Sequence, residues 1–388
     1  MRISNCVDCG SYKYIEEKGK CRDCYLDSKI KLGINNRGNT NFINSESIYK
    51  GLNILGSKGM GKTTMAKNIV NQLVEDDHGL CYFTNKGDIT ESEINSQKTE
   101  SYTFGPKDGF NVMNIIRDKK DIHYQDEIDM TVNIVNDMVK KNIDQSIFPV
   151  QHMDLLSEIT EAILKLDKEY TVKLIYDCLL NPDLRKDVFS KSNYNFPTHK
   201  HTLIRNVVLD KNNHIIKSLE QIINRDEIIN SIGRKKSTIN ISDIVKDSTS
   251  VILKFKNFIH SEDISLIAGV FSNKLLKEIE IQDNVKENKF VLCYDEIDRT
   301  NIDTNKFYSM GRKSNVGIIN VIQSLSDSDK KHIITSGNVI SFRINSKPAA
   351  DSLSLTLLSN PNVLMNLDKY TYVAKKWRKT TFRGSLDI

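Results

Sequence analysis

One segment limits the folds open to this chain more than any other. Gly51-Leu52-Asn53-Ile54-Leu55 is a short strand-like run. It is followed by Gly56-Ser57-Lys58-Gly59-Met60-Gly61-Lys62-Thr63, and then by Met65, Ile69, Val70 and Leu73 at helical spacing. The middle eight residues match G-x-x-x-x-G-K-[ST], a loop whose chemistry requires a strand before it and a helix after it. Glycines let backbone N–H groups turn inward around a β-phosphate, and the helix opening near Lys62 aims its positive dipole end at the same anion. Gly56, Ser57, Lys58, Gly59, Met60 and Gly61 are therefore expected to cradle ATP. Lys62 is expected to reach the β- and γ-phosphates, Thr63 to offer its hydroxyl to Mg²⁺, and Thr64 to support the α-phosphate. The alternative, a glycine-rich turn that binds nothing, leaves the flanking strand and helix without a reason.

A second constraint lies far along the chain. Phe290-Val291-Leu292-Cys293-Tyr294 reads as a buried strand, and it ends in Asp295-Glu296. Ligand sites in open parallel sheets lie at the carboxyl ends of the strands. Asp295 is expected to hold hydrated Mg²⁺ and Glu296 to polarise the attacking water. An acidic pair after an apolar run is often only a solvated strand end, and the phosphate loop is what shifts the reading. Further strand candidates are Leu80 to Thr84, Val251 to Phe255, Val316 to Ile322 and Val339 to Arg343, with an amphipathic helix from Ser261 to about Gln282. Alternating strands and helices imply an α/β fold with a mostly parallel sheet covered on both faces.

From about 121 to 232 the pattern turns helical, with Ile134, Met138, Leu155, Ile159, Ile163, Leu166, Leu174, Ile175 and Leu179 recurring at helical spacings. The expected division is a small module at 1–30, a first part of the core at 31–120, an inserted all-α domain at 121–232, and a second part of the core at 233–388 with a basic tail. Gly33 to Asn39 is rich in loop formers and reads as a linker. With 388 residues, 39% hydrophobic and 27% charged, the chain is long enough for one large core and is not of disordered composition. A net charge of +5 is too small to establish a polyanion partner. No stretch reads as a signal peptide or as a membrane span, so a cytoplasmic protein is expected.

Four of the seven cysteines form two pairs near the start, Cys6-Val7-Asp8-Cys9 and Cys21-Arg22-Asp23-Cys24, separated by eleven residues. Four thiolates in two tight pairs suit tetrahedral Zn²⁺, and Gly10 permits the turn around sulfur. A redox pair or coincidental cysteines are the alternatives. Such a small module needs the metal for stability. With Lys13, Lys18, Lys20 and Arg22 it reads equally as a nucleic-acid or protein contact and as a structural cap. Cys81, Cys178 and Cys293 read as core filling. The tail, with Lys375, Lys376, Arg378, Lys379 and Arg383 around Trp377, is open between a DNA contact and a solubilising extension.

Over about residues 50 to 375 the sequence resembles the FtsK/HerA superfamily of DNA-pumping ATPases, and within it the TraG-type coupling proteins of type IV secretion. Thr84-Asn85-Lys86-Gly87-Asp88 looks like the family's second-strand Asp-x-Lys-Gly-Glu motif, with approximate matches at Asn85 and Asp88. Gly109-Phe110-Asn111-Val112-Met113 resembles its Phe-Asn-Pro-Leu segment without the proline. The helical insertion occupies the place of the coupling proteins' all-α domain. Gly311 to Ile318 leads through an apolar strand to Gln323-Ser324, as in the superfamily. The resemblance implies that Gln323 faces the γ-phosphate, against a polar strand cap as the alternative. It implies that Arg312 acts in trans on a neighbouring subunit's ATP, against a surface or DNA-phosphate contact. Membrane-bound coupling proteins begin with transmembrane helices, and this chain shows none.

The resemblance implies a RecA-like P-loop NTPase core assembled as a hexameric ring that threads DNA with little sequence preference, driven by ATP hydrolysis. Conjugative transfer is the first reading, with a relaxase or secretion channel as partner, and viral genome packaging on a capsid the second. Of a different class are a nucleotide-operated switch that assembles an effector such as a nuclease, and a zinc-ribbon DNA-binding protein loaded by its ATPase.

Overall fold

The computed structural model describes residues 2–5, 12–17, 20–21, 29–35, 37–85, 89–96, 98–141, 150–166, 170–194, 213–256, 258, 260–282, 289–297, 315–323, 325, 333, 338–375 and 381–386. Near the start, β1 (Arg2–Asn5), β2 (Tyr12–Glu17) and β3 (Lys20–Cys21) form a small antiparallel sheet. The large sheet takes β4 (Lys29–Ile34), β5 (Thr40–Asn44), β6 (Leu52–Leu55), β7 (Gly79–Thr84), β8 (Thr99–Thr103), β9 (Ser250–Lys254), β10 (Phe290–Asp295), β11 (Val316–Ile322), β12 (Asn338–Ser341), β13 (Thr371–Lys375) and β14 (Thr381–Ser385). Their order is β5-β4-β14-β13-β12-β6-β11-β10-β7-β9-β8. The run from β12 to β8 is parallel throughout. The other four strands extend it antiparallel.

The central strands are apolar at nearly every position because both faces are covered, and their residues divide by parity. On one face Ile54, Leu80, Tyr82, Ile252, Val291 and Cys293 pack with Met65, Ile69 and Leu73 of α1 (Lys62–Glu75), the helix that follows the phosphate loop. On the other lie Cys81, Phe83, Val251, Leu253, Leu292 and Tyr294, packed against helices. Phe83 and Tyr294 stack across neighbouring strands with ring centroids 4.8 Å apart. Cys81, Cys178 and Cys293 are all fully buried, as expected of core filling.

The helical part contains α2 (Tyr124–Lys141), α3 (Val150–Leu164), α4 (Val172–Leu180), α5 (Pro182–Lys191), α6 (His214–Ile223), α7 (Asp226–Ile232) and α8 (Ile241–Lys246). Their starts follow sequence signals: Asn181 accepts from Asp183 and Leu184 N–H with Pro182 at the first position, and Asn213 and Asn240 cap in the same way. After β9 comes α9 (Ser261–Gln282), and α10 (Lys347–Leu357) and α11 (Pro361–Met365) lie between β12 and β13.

Two expectations change here. The loop formers at 33–39 do not make a linker: they turn the β4–β5 hairpin, which joins the large sheet through Ser385 opposite Ile34. The helix α9 is not amphipathic but buried on nearly every side, because α2, α7 and α8 cover the side that faces away from the sheet. Its buried charges, Asp263, Lys274 and Glu278, are all paired. Arg117 grips Glu278 through two bonds of 3.1 and 3.0 Å and lies 3.4 Å from Glu127, whose carboxylate also accepts the Ile116 and Arg117 N–H groups. Lys274 donates to the carbonyls of Val112 and Asn114, both at 2.9 Å, and burial lowers its pKa to about 8. Asn111, in the segment that resembles the family's Phe-Asn motif, is buried and donates to Tyr170 O at 2.8 Å. That segment thus fastens the helical part to the sheet.

Candidate functional site

The parallel strands end together at the carboxyl edge, where Ile322 pairs with Leu55 and Asp295 lies between Val321 and Thr84. The phosphate loop crosses this edge between β6 and α1. Gly56, Gly59 and Gly61 have φ of 151°, 76° and 109°, in the region that favours glycine. At Gly56 an added Cβ would lie 2.7 Å from Phe342 Cβ, so close packing as well as conformation excludes larger residues there. Ser57 N–H donates to Arg343 O at 2.8 Å and Ser57 Oγ accepts from Asn345 N–H at 3.1 Å, tying the loop to the end of β12. Lys58 and Gly59 are exposed, Met60, Thr63 and Thr64 half-buried.

Five of the predicted side chains converge. Lys62, buried, donates to Ser57 O at 3.1 Å and lies 3.9 Å from Glu296. Thr63 Oγ1 donates to Asp295 Oδ1 at 3.4 Å, placing two oxygen donors of the kind Mg²⁺ prefers side by side. Gln323, just past β11, lies with its side-chain amide 3.1 and 3.2 Å from the two Glu296 oxygens, and these acceptors, with donors around the other end, assign the N–H₂ to the Glu296 side. Glu296 has φ of 57°, uncommon for a residue with a side chain, and its N–H donates to Val321 O at 3.1 Å. Backbone strain of this kind costs roughly 1–3 kcal/mol and is found where a side chain must be aimed. Here it turns the carboxylate over the loop towards Lys62 and Gln323.

Two contributions escape sequence reasoning. Tyr82, fully buried on β7, donates to Asp295 Oδ2 at 2.9 Å, which leaves Oδ1 towards Thr63. Burial, with the Cys293 thiol and the Asp295 carboxylate nearby, holds the Tyr82 hydroxyl far above its ordinary pKa, so it stays a donor. The only advance signal was a polar-tipped residue in an apolar strand. The second is a clasp behind the loop: Tyr370 N–H donates to Met60 O at 3.1 Å, Leu386 N–H to Tyr370 O at 2.9 Å, and both side chains lie against Gly61.

Not every predicted residue can be placed relative to this edge. Arg312, Cys6, Cys9, Cys24 and the Lys86-Gly87-Asp88 part of the second-strand motif lie outside the described residues, and Cys21 is placed only as the end of β3. Of the basic tail, Lys375 sits at the amino edge of the sheet, opposite the phosphate loop, where it donates to Thr356 O at 2.7 Å. Among the described residues no helix is long and apolar enough to cross a membrane.

No family model matches the chain, and no curated protein matches it in sequence. Solved structures do match. The plasmid coupling protein TrwB in complex with ADP and Mg²⁺ aligns over 92% of this chain and 89% of its own, with TM-score 0.62 and 11% identity. TrwB with the GTP analogue GDPNP gives TM-score 0.61 at 10% identity, covering 89% and 88%. VirB4 of Thermoanaerobacter pseudethanolicus gives TM-score 0.61 at 11% identity, covering 93% of this chain and 97% of that one. The chain therefore has the α/β P-loop NTPase fold of TrwB and VirB4, with its large, mostly parallel sheet.

Proposed function

We propose that this chain is an ATP-hydrolysing DNA translocase that works as a hexameric ring in conjugative transfer. The observation that carries the reading is the meeting of Lys62, Thr63, Asp295, Glu296 and Gln323 at the carboxyl edge of one parallel sheet. The fold shared with TrwB, a bacterial conjugative coupling protein, over most of both chains supports the choice of process.

In this reading Lys62 leaves Glu296 and Ser57 O for the β- and γ-phosphates. Thr63 and Asp295 would hold Mg²⁺, which supplies charge neutralisation along the phosphates when bound. Glu296 takes the proton of the attacking water, and Gln323, already on Glu296, reports whether the γ-phosphate is present. Arg312 reaches the ATP of the next subunit. The four cysteines Cys6, Cys9, Cys21 and Cys24 hold Zn²⁺ in the 1–30 module, and the helical insertion at 121–232 divides the core into 31–120 and 233–388. The protein acts from the cytoplasmic side, with a relaxase or secretion channel as partner.

Two variants test the site. Lys62→Ala is expected to lose nucleotide binding and hydrolysis together. Glu296→Gln is expected to bind Mg²⁺-ATP with near-normal affinity, hydrolyse it at least a hundredfold more slowly and accumulate as an assembled ring in sedimentation. Hydrolysis at the unmodified rate in Glu296→Gln would remove this residue from the mechanism.

A further inference from the structure

At the far end of the same sheet edge, the segments that follow β8 and α7 lie against each other. Arg234 donates to Lys107 O at 2.7 Å and to Pro106 O at 3.0 Å. Ser237 Oγ accepts the Asn111 N–H and Thr238 Oγ1 accepts the Gly109 N–H, both at 2.9 Å, and Gly233 bridges to Asn111. Gly233-Arg234-Lys235-Lys236-Ser237-Thr238 is thus pinned at every residue except the two lysines. Lys235 and Lys236 are exposed, and so are Lys107 beneath them and Lys256 beyond the end of β9. Among the described residues no carboxylate lies within ion-pair distance of any of the four. The contrast with the other end of β8 is direct, since Lys98 there pairs with Glu100 at 3.3 Å and Asp247 at 3.7 Å.

Resting on the DNA reading above, we propose that Lys235 and Lys236, with Lys107 and Lys256 alongside, form a phosphate-contacting surface for the DNA backbone. A lysine cluster without counter-charges gives a positive potential suited to a polyanion. Pinning the loop through Arg234, Ser237 and Thr238 reduces the conformational entropy lost when the lysines engage. Among the described residues the patch contains no exposed aromatic side chain to stack on bases, so contact is to phosphates and carries no sequence preference. Five strand spacings of about 4.8 Å separate β6 from β8, which puts the patch roughly 24 Å from the phosphate loop. Its lysines therefore touch no part of the nucleotide site. The Gly109–Asn111 segment that anchors them continues into the Lys274 and Arg117 contacts, so force on the patch is delivered to the body of the fold.

The test compares the full chain with Lys235→Ala/Lys236→Ala and with a control, Lys173→Ala/Lys191→Ala, whose lysines pair with Asp177 and Asp187 on the helical part. Both remove two positive charges. Fluorescence anisotropy with a random-sequence duplex of about 40 base pairs is measured at several salt concentrations, together with nucleotide affinity in the absence of DNA. The expected result is at least tenfold weaker DNA binding for the loop variant, with the slope of log K against log salt reduced by about two. The control stays within twofold of the unmodified chain, and nucleotide affinity is unchanged in both. Equal losses in both variants would show a diffuse charge effect, and no loss in the loop variant would show that DNA lies elsewhere; either overturns the inference while leaving the translocase reading standing. Failure of the unmodified chain to bind duplex DNA overturns both.

Discussion

Tyr82→Phe removes one hydroxyl and keeps the ring that packs in the layer between sheet and α1. The hydroxyl donates to a carboxylate oxygen of Asp295, a residue only 6% exposed, so water replaces it poorly. A hydrogen bond to a charged group contributes about 1.5–3 kcal/mol. At about 1.4 kcal/mol per factor of ten that is roughly a 10- to 150-fold effect on whatever equilibrium depends on the carboxylate's orientation. Partners that orient a metal ligand from behind contribute about 10- to 100-fold in metal affinity, an independent figure of the same size. The assay is displacement of a fluorescent ADP analogue with and without Mg²⁺, together with thermal unfolding of the nucleotide-free protein. Affinity without Mg²⁺ should stay within about twofold, while the gain on adding Mg²⁺ should fall at least tenfold. A purely packing role would move both affinities alike or only the unfolding temperature. An unchanged Mg²⁺-dependent gain would refute the positioning role of Tyr82.

Three further outcomes are expected. Arg117→Met leaves Glu278 and Glu127 buried without their guanidinium and should cost about 3–5 kcal/mol in the first urea unfolding transition; a loss under about 1 kcal/mol would contradict the buried network. Mixing inactive Lys62→Ala with inactive Arg312→Ala should restore part of the ATPase rate, with subunit exchange confirmed separately. Full activity of Arg312→Ala alone would end its assignment. Metal analysis should find one Zn²⁺ per chain, lost in Cys6→Ser/Cys9→Ser while the rest stays folded, and a metal-free native protein would contradict the zinc module.

What sequence revealed follows from burial. The strands β6, β7, β10 and β11 lie in the middle of a sheet covered on both faces, so each is an apolar run recognisable in isolation. The glycine pattern of the phosphate loop is demanded by its backbone angles and is equally plain. By contrast β8, Thr-Glu-Ser-Tyr-Thr, is an edge strand with no fully buried residue, and nothing in its composition marks it. The hairpins β4–β5 and β13–β14 are short and interrupted by glycines that serve close packing: a Cβ on Gly33 would collide with Ser385 O, and one on Gly384 with the Tyr372 hydroxyl. The character of α9 was misread because amphipathicity assumes water on the outer side, and here α2, α7 and α8 occupy it. Tyr82 stayed hidden because its partner is 213 residues away and its neighbours are apolar. Asp295, Glu296 and Gln323 were visible as strand-end residues, whereas the left-handed backbone that aims Glu296 belongs only to the folded chain.

The measurement closest to the central claim is triplex displacement: a labelled third strand is annealed to duplex DNA, and its release is followed as the protein, ATP and Mg²⁺ are added. Release that requires ATP hydrolysis, grows slower with longer duplex leading to the triplex, and disappears in Glu296→Gln is the predicted result. Vigorous ATP hydrolysis and firm DNA binding with no third-strand release under any condition would contradict translocation and leave a nucleotide-operated switch in its place.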